Sequence, residues 1–179
     1  MAYSFSNKDN TDIIRVDDGK PSPGEDPLVI VQYETKRTAA LNDVVTQQLI
    51  GVHVFTVFTV SFPIAIGLHT ALLQHLGENH PAVDEEFLRS SAMGISVSDD
   101  RSTATITFMR STAPDDFDPH GTFKPKIMYK LLDGGLVVNI YLTRKAAWGI
   151  CTLMANDAFR NITVEILDAM EEARTTTPQ

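Results

Sequence analysis

The chain has 179 residues, with 15 Lys+Arg, 23 Asp+Glu, one cysteine and a formal net charge of −8. That length suits one domain, or two fused halves, and can bury a core without covalent staples. One cysteine excludes a disulfide framework and a Cys-rich zinc module, and MAYSFSNKDNTD lacks the basic start and apolar run of a secretory signal. A reducing, intracellular and soluble (cytoplasmic) setting is the expectation.

In chain order, residues 1–11 read as a polar tail, DIIRVD (12–17) as a short strand and GKPSPGEDP (19–27) as a loop. PLVIVQYET (27–35) is a β-rich strand after a proline. LNDVVTQQLIG (41–51) fits either a strand or a short helix. HVFTVFTVSF (53–62) is β-branched and aromatic and reads as a strand. The Ala/Leu-rich segment 63–77 begins with a proline, ends in a glycine and reads as a helix. Residues 80–94 suggest a connecting helix with Asp84, Glu85 and Glu86 in its first turn, at the positive dipole end. GISVSDD (94–100) and TATITFMRS (103–111) form a hairpin about residues 99–102, and TAPDDFDPHGT (112–122) is a long loop. KPKIMYKLLD (124–133) and LVVNIYLT (136–143) are strands joined at Gly134-Gly135. Thr143 caps a helix through about Phe159, a second amphipathic helix follows, and 175–179 are a tail.

From Val44 to Gly77 there is no Asp, Glu, Lys or Arg, which raises a transmembrane span. Hydroxyls, a histidine and a central proline, with no aromatic belt and no basic flank, argue against it. A buried strand feeding a buried helix accounts for the composition. The same order recurs: 58–73 lies over 138–153 at an offset of 80, as a duplicated ββββα unit would. The expected fold is α+β, with antiparallel sheets and helices on one face. A single domain (12–174) would hold two pseudo-repeats, 12–80 and 94–160, plus a C-terminal helix.

Charge is unevenly placed. Residues 1–26 and 150–179 are each net −3, while 121–149 carry Lys124, Lys126, Lys130, Arg144 and Lys145 against Asp133 alone. Alternation along a strand assigns faces. Leu136, Val138, Ile140 and Leu142 share an apolar face with Ile127, Tyr129 and Leu131. Lys124, Lys126, Met128, Lys130, Asn139 and Tyr141 share the other, joined by Thr105, Thr107, Ser96 and Ser98. Such a face suits a single nucleic-acid strand. Lysines neutralise phosphate, Tyr141 stacks a base, and hydroxyls and Asn139 bond base edges or 2′-OH groups. Phe123 and Tyr129 are further stacking candidates, although parity turns Tyr129 to the apolar side. A solvated face with lysines as edge protection is the competing reading.

Four strands and a helix, given twice, resemble the Whirly family and related transcriptional-coactivator-type single-strand-binding proteins. IYLTRKAAWGICTLM (140–154) looks like that family's last strand and helix. Lys36-Arg37-Thr38-Ala39-Ala40-Leu41 is similar to its Lys-Gly-Lys-Ala-Ala-Leu motif, with Arg-Thr in place of Gly-Lys; Trp148 sits one residue late. Among such proteins the chain also resembles an RNA-binding protein associated with the nucleus-like shell of large phages. The resemblance implies that Lys36 and Arg37 contact nucleic acid and lie at an oligomer edge.

Other groupings point elsewhere. Asp115, Asp116, Asp118 and His120 crowd one loop, but without EF-hand spacing, so a solvated acidic turn is the better reading. His69, His75 and His80 lack metal-ligand spacing, and Cys151 sits in an apolar helix as a structural thiol. No catalytic motif is found, so no enzyme, metal or cofactor is expected. The first hypothesis is a homo-oligomeric, non-enzymatic protein binding single-stranded RNA or DNA, with RNA favoured and no membrane. The second is an acidic protein-interaction or inhibitor module, such as a viral accessory protein.

Overall fold

The computed structural model describes residues 3–7, 9–19, 28–37, 40–50, 53–90, 93–111 and 126–176. In chain order the elements are β1 (Tyr3–Ser6), β2 (Asp12–Gly19), β3 (Leu28–Thr35), α1 (Leu41–Val44), β4 (Val45–Ile50), β5 (His53–Ser61), α2 (Phe62–Leu76), α3 (Glu85–Ser90), β6 (Gly94–Val97), β7 (Thr103–Ser111), β8 (Lys126–Leu132), β9 (Gly135–Thr143), α4 (Arg144–Met154) and α5 (Asp157–Thr176). The architecture is α+β. One sheet has the order β1-β2-β3-β9-β8 and the other β4-β5-β7-β6, and every strand pair is antiparallel.

Several boundaries differ from the sequence reading. Tyr3–Ser6, expected in a tail, pair with Val16 to Ile13 as an edge strand. The ambiguous segment 41–51 is both things in turn: a single helical turn, α1, running straight into β4. The helix after Thr143 stops at Met154, and Asp157 begins a separate helix. The β8–β9 turn is Asp133-Gly134, because Leu132 already pairs with Gly135. Gly134 takes a positive φ of 79° there, while Gly135 is required by crowding. A Cβ at Gly135 would stand 2.5 Å from the carbonyl oxygen of Thr35.

Alternation sets the core. Along β9 every second residue, from Leu136 to Leu142, is buried. These side chains meet Ile14, Val16, Val29, Val31 and Tyr33 of β2 and β3. The second sheet adds Phe58, Val60, Ala104 and Ile106, and Tyr33 meets Phe58 edge to face at 6.1 Å. Helix α2 lies on β1 and β2, while α4 lies on β6, β9 and β3. Phe159 at the start of α5 stacks on Phe62 at 5.3 Å, fixing that helix to the body.

Each sheet draws strands from both halves of the chain. Replacing β2, β3, β4 and β5 by β6, β7, β8 and β9, and the reverse, converts the order β2-β3-β9-β8 into β6-β7-β5-β4, the order of the second sheet. The helix caps Ser61 and Thr143 stand 82 positions apart. The pairs Val45–Phe58 and Ile127–Ile140 keep that spacing, as do the helix glycines Gly67 and Gly149. These corresponding positions stand 82 apart, where the sequence reading set 58–73 over 138–153 at an offset of 80.

Candidate nucleic-acid interface

The face of the five-stranded sheet turned away from the core is ordered in rows by strand register. The middle row is Ser4, Arg15, Gln32, Asn139 and Met128. One neighbouring row runs Asp17, Ile30, Tyr141 and Lys126, and the other Ile13, Glu34, Val137 and Lys130. The middle row is tied together by side chains. Arg15 Nη1 donates to Gln32 Oε1 at 2.9 Å, and Gln32 Nε2 donates to Asn139 Oδ1 at 3.0 Å. Arg15 also pairs with Glu34 at 3.4 Å. Three strands thus share one amide-and-guanidinium chain, whose fixed rotamers present hydrogen-bonding edges at low further entropy cost.

Sequence parity placed Lys130, Asn139 and Tyr141 correctly on one face with Leu136, Val138, Ile140 and Leu142 buried behind them. Lys130 is exposed, and Asn139 and Tyr141 are half-buried within the sheet. Lys126 is described by its backbone, which puts it opposite Tyr141. Tyr129 falls on the core-side row beside Val138, yet it is 56% exposed. The cause is that α2 lies over β1 and β2, at the far end of this sheet from β8.

Two groups leave the predicted face. Thr105, Thr107 and Ser96 belong to the second sheet, where Thr59 and Thr105 share a hydrogen bond at 3.1 Å. Alternation assigns the side of a strand and not the sheet it joins, so one expected face is two. The remaining basic candidates also part company. Arg37 grips Asp12, with Nη2 2.6 Å from Oδ2 and Nε 3.2 Å from Oδ1, and Thr35 Oγ1 donates to the same carboxylate at 2.7 Å. The hydrogen bonds from Arg37 to Asp12 hold the guanidinium above its ordinary pKa, while burial raises the neighbouring Tyr33 phenol. Arg144 points to Asp18 at 3.8 Å, which also meets His75 Nε2 at 3.0 Å. Lys145 lies 4.7 Å over the Phe87 ring of α3. Lys36 is exposed just past β3, beside Gly135.

Phe123, Lys124 and the loop bearing Asp115, Asp116, Asp118 and His120 lie outside the described residues. Among the described residues, no group of three or more His, Cys, Asp or Glu is placed to hold a metal ion. Cys151 is fully buried, and burial pushes its thiol up to about 12, which suits packing and not nucleophilic chemistry. Burial lowers the His69 imidazole. Among the described residues, no helix is long and apolar enough to cross a membrane.

Sequence reading missed Arg15 and Gln32. The signal was available, because both sit at alternate positions facing away from Ile14, Val16, Val31 and Tyr33. What the sequence did not carry was that β3 lies next to β9, more than a hundred residues away. Comparison with protein families, with curated proteins and with solved structures returns no match for this chain.

Proposed function

We propose that the protein binds single-stranded nucleic acid, RNA in preference to DNA, on the outer face of β3, β9 and β8, and that it works as a homo-oligomer joined at strand edges. The observation that carries this reading is the hydrogen-bonded row Arg15–Gln32–Asn139 on the face turned away from the core, flanked by Tyr141 on one side and Lys130 on the other. Amides can meet base edges or a 2′-OH, Tyr141 gives a stacking surface, and lysines meet phosphate. Rows four residues apart along a strand are about 13 Å apart, the span of two or three nucleotides of extended strand. The interchange of strand orders and the common spacing of 82 support a duplicated ββββα unit and the Whirly-like resemblance.

Lys36 and Lys130 are the phosphate contacts best supported by exposure, with Lys126 supported by register. Arg37, Arg144 and Lys145 serve the fold first, through Asp12, Asp18 and Phe87. The test is anisotropy of a labelled single-stranded oligonucleotide over a salt series. Each lysine lost is expected to flatten the log–log salt slope by about 0.7. A Lys126/Lys130→Ala double variant that binds as the parent does would remove the face from consideration. The reading as an acidic interaction module is favoured by one feature, the exposed Val164 and Leu167 among the acidic residues of α5. Binding that is absent even at low salt would favour it.

A further inference from the structure

β8 is a seven-residue strand at the edge of its sheet. Among the described residues it has no outer neighbour, and large apolar side chains are exposed on both of its faces. Met128 is 49% exposed, Tyr129 56%, Leu131 66% and Leu132 37%. The other edges differ. β1 and β6 have four residues each, and short edge strands offer little to pair with. β4 is the counterpart of β8 at the spacing of 82, and it carries Thr46, Gln47 and Gln48 where β8 carries Met128, Tyr129 and Lys130. Met128 and Tyr129 thus replace Thr46 and Gln47, while Leu131 and Leu132 match Leu49 and Ile50, so the middle of β8 is where the two edges differ in apolar surface.

We infer that β8 pairs antiparallel with β8 of a second copy about a two-fold axis at Tyr129, joining two five-stranded sheets into one continuous sheet. This deepens the proposed assembly at strand edges and rests on that reading. The register follows from two constraints. The outer and core-side faces must each stay continuous, so the paired residue numbers must sum to an even value. Like charges directly opposite one another are unfavourable. Centring on Met128 would set Lys126 against the second copy's Lys130, and centring on Lys130 would set that lysine against itself. Centring on Ile127 or Leu131 leaves only three paired positions on each strand. Centring on Tyr129 avoids all of these faults. Lys126 then faces Leu132, and Met128 faces Lys130, across the new ladder. On the core-side face Ile127 meets Leu131 and the two Tyr129 rings adjoin.

The pairing also bears on nucleic acid. Among the described residues one copy brings Lys126 and Lys130 to this edge, and the two-fold axis brings four lysines to adjacent strands. A strand of nucleic acid crossing the junction would meet twice the positive charge that a single copy offers.

The test uses the full chain without nucleic acid, so that its outcome is independent of binding. Cys151 is buried and leaves a silent background. A Tyr129→Cys side chain would sit opposite its own mate, with Cα atoms about 4.5–5.5 Å apart, inside disulfide range. A Leu132→Cys side chain would lie about 20 Å from its mate, six residues along the ladder. Mild oxidation is expected to give a disulfide-linked dimer of Tyr129→Cys and not of Leu132→Cys. The parent protein is expected to sediment at twice 19.7 kDa. Equal crosslinking at both positions or at neither would overturn the proposal, as would a parent that sediments as a monomer. An open series of larger species would overturn it too, since that is the mark of β8 joining β4 head to tail.

Discussion

Replacing Arg37 with alanine is expected to destabilise the protein more than it weakens ligand binding. Asp12 is 1% exposed and accepts two hydrogen bonds from Arg37 and one from Thr35. A hydrogen bond to a charged group contributes about 1.5–3 kcal/mol, so losing both sets an upper limit of roughly 3–6 kcal/mol. The Arg37 side chain is itself 60% exposed, so water refills the vacated side and restores part of the carboxylate's solvation. The net cost is about 2–3 kcal/mol, below the loss from breaking a fully buried pair. For a chain of this size that lowers Tm by about 4–12 °C. Urea unfolding measures it, with the m-value unchanged. Combination with Asp12→Asn gives the coupling, expected to exceed about 1 kcal/mol. A loss below about 0.5 kcal/mol for Arg37→Ala would refute the clamp, being what an ordinary surface position gives.

Three further outcomes follow from the packing and the hydrogen bonds. A Cβ at Gly67 would stand 2.8 Å from Phe5 Cβ, so Gly67→Ala must displace β1 and is expected to cost about 1–3 kcal/mol; at Gly149 the closest contact is the far end of the flexible Met93 side chain (Sδ at 2.6 Å), with the Phe87 ring at 3.4 Å, so Gly149→Ala should cost less, and urea melts that reverse this ranking would contradict it. Hydrogen bonds from Ser98 Oγ and from the Ser102 hydroxyl and amide hold the Asp100 carboxyl down to about 2. The folded value lies below the ordinary 3.8, so this group's contribution to stability is present above that value and is lost as pH falls towards 2. Carboxyl NMR should titrate Asp100 near 2 and move it upward in Ser98→Ala; a midpoint near 4 in the parent would contradict the assignment. Cys151 should resist alkylation in the folded protein and react fully in urea, and rapid labelling without denaturant would show the core to be more open than described.

Much of the local structure was legible because one face of each strand is buried. The run LVVNIYLT declares its own parity, and Thr143 caps α4 as its position suggests, accepting from Ala146 N at 3.2 Å. Long-range pairing was not legible. Nothing in PLVIVQYET states that Gln32 will meet Asn139, and nothing in TATITFMRS states that Thr105 and Thr107 face outward on a different sheet from Lys130. Charge was legible as a sum and not as a disposition. The basic segment 121–149 sends Arg144 to Asp18 and Lys145 to Phe87, so its excess of lysines and arginines is not one patch. Tyr129 shows the same limit in reverse. Parity put it on the core side, and only the placement of α2 over the far end of the sheet leaves it exposed.

Photocrosslinking of the full chain to a single-stranded oligonucleotide, with the attached peptides mapped by mass spectrometry, tests the central claim most directly. Adducts are expected in the strands holding Gln32, Lys130, Asn139 and Tyr141, and should fade as salt rises. Adducts confined to α5 or to the threonine-bearing sheet of β5 and β7 would contradict the account.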